Sequence, residues 1–202
     1  MLVILQPVVV GEWCTLCLAA AGVMLLMIPL TLDEVVAMIQ FMILGHREGK
    51  PLWRTFWVGD TITGGREDER TSRYGSPVGA MLPAMTWGVT VPWSLLASAG
   101  LGVWLMFSPA VFGTQAAAAD SDHLVGALVL TIAVISMAEV VRAGRFLNVV
   151  LGAWLVMAPW LLAGASPGAG WNDVVVGAAV VVLSIFRGAV YEHYGEWDRA
   201  SV

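Results

Sequence analysis

Apolar and polar positions along this chain separate into blocks rather than into faces. Long stretches without Asp, Glu, Lys or Arg alternate with short ones that hold nearly every charge. A helix that is apolar all round belongs in a protein interior or in lipid, and about 20 apolar residues cross a bilayer. Five blocks approach that length: about Trp13–Leu30, Val89–Phe107, Leu124–Val141, Phe146–Ala163 and Val174–Phe186. The third carries one acid, Glu139, near its end. The fifth has 13 uncharged residues and must borrow length from a snorkelling Arg187 and from Ala189-Val190-Tyr191.

The remaining stretches read differently. "MLVILQPVVV" (1–10) is too short to cross and lacks the basic leader of a signal peptide. Pro7 and Gly11-Glu12 suggest a helical stub that ends just before two cysteines. After Pro29, "TLDE" (31–34) fits a capping box, Thr at the cap and Glu three later, opening a second helical piece at or near the inner interface. "REGKPLWRTFW" (47–57) mixes bases with Trp53, Phe56 and Trp57, a composition suited to lying on headgroups. "TGGREDERTSRYGSP" (63–77) is the most polar part and reads as a flexible cytoplasmic linker.

Composition agrees with the pattern. Of 202 residues, 58% are hydrophobic and 12% charged, about half the charge of a soluble domain. The net charge of −5 and the absence of a basic block give no reason to expect nucleic acid. The distribution of charge is more telling. Arg47, Lys50, Arg54, Arg66, Arg70 and Arg73 lie before the second span, Arg142 and Arg145 between the third and fourth, Arg187 and Arg199 after the fifth. The loops 113–123 and 164–173 contain no Lys or Arg. Five spans place all ten bases on one side, which the positive-inside rule makes cytoplasmic together with the C-terminus. The expected fold is therefore all-α and polytopic, multi-pass in a membrane, with lipid as its first partner.

An internal repeat organises the second half. Gly102, Trp104, Leu105 and Pro109 match Gly152, Trp154, Leu155 and Pro159 at an offset of 50, and Asp122, Gly126, Ala127 and Val129 match Asp173, Gly177, Ala178 and Val180 at 51. Each unit is a helical hairpin with a proline near the outer end of the outgoing helix. The aspartate is expected to cap the returning helix, and the small residues after it let helices approach closely. Neither repeat is expected to place a charge in mid-membrane, so a packing module is favoured over an ion path. Trp160 and Trp171 fit an outer interfacial belt and Trp87 an inner one. Roughly residues 88–190 resemble the SPW repeat family of small bacterial membrane proteins. Ser108-Pro109-Ala110 lacks the signature's Trp, and Ala158-Pro159-Trp160 lacks its Ser. The resemblance implies an architecture and a membrane location, and no activity.

The candidate chemistry is elsewhere. Cys14 and Cys17, the chain's two cysteines, stand in "GEWCTLCLAAAGVMLL" at the head of the first span. At a helix start the two sulfurs share a face one turn apart, and the helix dipole favours a thiolate. This end of the span faces outward, where disulfides persist. Zinc needs four ligands, and His46, His123 and His193 are scattered. Covalent haem needs CxxCH, and Leu18 follows Cys17. No metal and no haem are expected, which leaves a redox pair or two small apolar residues.

"LQPVVVGEWCTLCLAAAGVMLLMIPL" is similar to the final helix of the vitamin K epoxide reductase family, with its outward-facing CxxC. The resemblance covers residues 1–44. It implies catalytic Cys14 and Cys17, Cys14 exchanging with an incoming thiol of a thioredoxin-like partner and Cys17 lying next to a quinone. The family's other helices, loop cysteines and quinone-holding residues are absent from this sequence, and one helix cannot wall a ligand pocket. Another membrane subunit, a start upstream of Met1, or descent into an inactive remnant would each account for this. The organisation expected is a CxxC helix plus interfacial helix (1–44), a cytoplasmic amphipathic segment and linker (45–87), an SPW-type domain (88–191, repeats 102–142 and 152–189) and a tail (192–202). The leading function is part or relative of a quinone-linked thiol–disulfide oxidoreductase. The rival is a non-enzymatic membrane scaffold.

Overall fold

The computed structural model describes residues 14–61 and 86–191. The stub 1–10, Trp13, the linker 63–77, His193 and Arg199 lie outside the described residues. Among the described residues, six α-helices follow one another: α1 Thr15–Arg47, α2 Leu52–Val58, α3 Trp93–Phe112, α4 Ala116–Ile135, α5 Leu147–Leu161 and α6 Pro167–Ile185. A 3-10 segment, Glu139–Phe146, joins α4 to α5. Five stretches among the described residues are long and apolar enough to cross a membrane: α1, α3, α4, the 3-10 segment with α5, and α6. The chain is an all-α, polytopic membrane protein.

The repeat builds a four-helix bundle. α3 packs on α4 and α5 on α6 within the two hairpins, and α3 meets α6 while α4 meets α5 between them. The core is made of matching pairs from the two units: Leu105 with Leu155, Val125 with Val176, Val129 with Val180, flanked by Leu101 and Leu151. Each hairpin closes over a glycine pair. A Cβ on Gly126 would sit 2.6 Å from the Gly102 carbonyl oxygen, and one on Gly177 would sit 2.6 Å from that of Gly152. Lipid tails are as apolar as leucine, so close backbone approach and dense packing must hold such helices together.

Three expectations need correction. The break at Pro29 is not there: α1 runs unbroken for 33 residues through it. Thr31 caps nothing, because its hydroxyl donates back to the carbonyls of Met27 (3.2 Å) and Ile28 (3.1 Å) inside the helix. The returning helices also begin earlier than their hydropathy suggests. Ser166 caps α6 by accepting the Ala169 N–H at 3.2 Å with Pro167 in the first turn, and the alanine run 116–119 extends α4 upstream. α6 therefore gains its length at this end, and residues 186–191 leave the helix.

The third correction follows. Asp122 and Asp173 are not caps but sit in the second turn of α4 and α6, buried, and within electrostatic reach of each other. Carboxylates thus lie inside candidate spans at two positions besides Glu139, the one acid expected there.

α1 stands beside the bundle. Leu25 packs against Ala99, Ala133 and Val134, and Leu32 with Val36 packs against Ala138 and Val140. Most of its apolar surface is left open: Leu16 is 79% exposed, and Val23, Met24, Leu26 and Met27 are exposed as well.

Candidate functional site: a dithiol at a helix start

Cys14 is the N-cap of α1, one position before the first turn in which it was expected. Its backbone is extended (φ −90°, ψ 110°), and its carbonyl accepts the first helical bond from Leu18 N–H at 3.0 Å. The first N–H groups of a helix have no carbonyl partner, and an N-cap side chain usually supplies one with oxygen. Here sulfur does so: Cys14 Sγ accepts from Cys17 N–H at 3.4 Å. The two cysteines are therefore brought together by the requirement of the helix end.

Neither sulfur is in a disulfide; Cys14 is exposed and Cys17 half-buried. The Cys17 side chain, hydrogen-bonded to Cys14, holds the Cys14 thiol below its ordinary range, and the Cys17 backbone N–H adds to this. A lowered, exposed thiol at a helix start is the kind that attacks a disulfide. No acid occupies the first turn to oppose the effect. The packing of α1 on the bundle core at Ala99, Ala133 and Val134 is made by Leu25, roughly 16 Å down the helix from Cys14 at 1.5 Å per residue. Among the described residues, no three His, Cys, Asp or Glu side chains converge on a point.

The opposite end of the bundle gathers polar residues that the sequence divided between a turn, for Arg142 and Arg145, and the ends of two expected spans, for Glu139 and Asn148. Glu139, Arg142, Arg145 and Asn148 are all buried, Arg142 completely. Arg145 donates to the Ser184 carbonyl at 3.1 Å and to the Arg142 carbonyl at 3.4 Å, with its guanidinium over the Phe146 ring. Arg142 bonds Thr90 and the Met137 carbonyl, and Glu139 accepts the Tyr191 N–H at 2.9 Å. These side chains satisfy carbonyls where α4 and α6 end, the position that favours cations. Their spacing of three was the available signal, since it puts them on one face of a helical turn.

A second feature ties the repeats to each other. Trp104 Nε1 donates to Asn172 Oδ1 at 2.8 Å, and at the matching place Trp154 Nε1 donates to Ser121 Oγ at 3.0 Å. Each tryptophan of one unit thus grips the residue just before the buried aspartate of the other. Trp104→Phe and Trp154→Phe should each lower bundle stability by about 0.5–1.5 kcal/mol. Thermal unfolding of the purified protein in detergent measures this, and unchanged midpoints in both variants would deny the indoles any part in joining the repeats. Trp160 and Trp171 stay exposed, lining an apolar notch with Pro159, Pro167, Gly170 and Val174.

Residues 92–187 match the SPW repeat domain family, which covers the whole four-helix bundle. Comparison with curated proteins and with solved structures returns no match. These findings leave the resemblance of residues 1–44 without further support, and they do not bear on the cysteines.

Proposed function

We propose, taking residues 92–187 as an SPW repeat domain that holds the chain in the membrane, that the chain is a quinone-linked thiol–disulfide exchange unit. Cys14 and Cys17 cycle between dithiol and disulfide at the extracytoplasmic rim. A dithiol protein attacks Cys14 with one thiolate and displaces Cys17 as a thiolate; its second thiol then displaces Cys14, so that protein leaves as a disulfide and two electrons pass to the pair. The regained dithiol then gives two electrons and two protons to a quinone, which departs as quinol. Helices from a partner polypeptide complete the quinone pocket, since α1 offers one wall. The observation that carries this reading is the sulfur-capped helix start, with Cys14 exposed and its thiol lowered by Cys17. The likeness of residues 1–44 to the last helix of the vitamin K epoxide reductase family supports it.

The test uses native membranes under argon. After reduction and removal of the reductant, the Cys14–Cys17 disulfide should reform on addition of a soluble ubiquinone analogue and stay open without it, as read by thiol-blocking mass shifts. A pair that remains dithiol with quinone present would end the quinone assignment.

A further inference from the structure

We infer that α2, together with the last turns of α1, is a membrane-surface foot whose aromatic face lies among the phospholipid headgroups at the Arg142–Arg145 end of the bundle. The inference does not depend on the cysteines. It rests on an inversion of burial. α2 packs against α1, and the one residue it buries is Thr55, set over Gly45 of α1 with its hydroxyl returned to the Pro51 carbonyl at 3.2 Å. Leu52, Trp53, Phe56, Trp57 and Val58 all face outward, Trp53 74% and Trp57 65% exposed. A hairpin folded for water would bury these and expose the threonine.

Two observations select lipid as the occupant. The outward face is continuous with Ile39, Ile43 and Leu44 of α1, itself a candidate membrane span, so it extends a surface that already meets acyl chains. The flanking charges Arg47, Lys50 and Arg54 outnumber Glu48 and Asp60, which suits phosphate. Trp57 packs edge-on to Trp53 (5.7 Å between centroids) and to Phe56 (5.2 Å), so the aromatics form one plate. Tryptophan at the headgroup level is the usual membrane anchor.

Length is compatible with this placement. The 33 residues of α1 rise about 50 Å, some 20 Å more than a hydrocarbon core of about 30 Å. A tilt of about 25–30° fits this length within the ~40–45 Å that include the headgroup layers, with the backbone bond lost at Pro29 as a point of bending.

The experiment places a fluorophore on the plate. In full-length protein carrying Cys14→Ser and Cys17→Ser, a single new cysteine at Trp57 or at Trp53 is labelled with NBD. The protein is then inserted in phosphatidylcholine–phosphatidylglycerol vesicles. Leu96→Cys, on the outward face of α3, and Asp60→Cys serve as lipid and water references. Nitroxide placed high on the acyl chains should quench both α2 labels at least about twofold more than aqueous iodide does. Stronger quenching by iodide would overturn the inference. Protection from both quenchers would overturn it too, and would assign the plate to a protein surface.

Discussion

Alanine at Gly102 should destabilise the bundle by about 2–3 kcal/mol, while alanine at Gly100, two residues away on the same helix, should leave it as stable or slightly more so. The two positions differ only in what a methyl would meet. On Gly102 it would lie 2.7 Å from both the Gly126 oxygen and the Leu130 nitrogen, backbone atoms that cannot rotate away. On Gly100 it would meet nothing within 4 Å, and the residue would gain the better helix propensity of alanine, up to ~1 kcal/mol. To admit a methyl at Gly102, α3 and α4 must separate along their contact, and the loss extends to Leu105 and Val129 in the shared core. Gly152 is the matching site of the second hairpin and should respond alike. Thermal unfolding in detergent gives the answer. Equal midpoints for Gly102→Ala and Gly100→Ala would show that close backbone approach does not hold the hairpins together.

The second large effect concerns the sulfurs. Cys17→Ser should accumulate a mixed disulfide between Cys14 and an extracytoplasmic thiol protein, whereas Cys14→Ser should accumulate none. In Cys17→Ser the exposed Cys14 thiolate attacks the disulfide form of that protein, releasing one of its sulfurs as a thiolate. Half-buried Cys17, which would otherwise attack the mixed disulfide and free the partner as a dithiol, is missing. Without Cys17 the bond has no intramolecular exit, so trapping should change from undetectable to dominant. Non-reducing gels of membranes treated with acid to stop exchange distinguish the two variants. Absence of an adduct in both, with unchanged disulfide formation outside the cell, would remove the redox reading and leave a scaffold of packed hairpins.

Much of this molecule was legible before any coordinates. Blocks without charge predicted five crossings, and five candidate spans are found among the described residues. The repeat at offsets of 50 and 51 anticipated equivalent helices, and the core pairs Leu105 with Leu155 and Val129 with Val180 accordingly. Element edges were less legible. Hydropathy weighs side chains one at a time, so Asp122 and Asp173 marked helix starts in the sequence although the backbone continues through both. The same weighing put Arg142 and Arg145 in a water-facing turn, although free carbonyls at the bundle end draw them inside.

What the sequence determined alone is the medium, because a chain so poor in charge cannot cover itself with water-facing groups, and with it the repeat and the sulfur pair three residues apart. The tertiary structure decided which polar groups are buried, how the two hairpins grip each other through Trp104 and Trp154, and that α2 hides its threonine and shows its aromatics. Those outcomes depend on contacts between residues far apart in the chain, and local pattern carries no record of which carbonyl, glycine or indole will lie opposite.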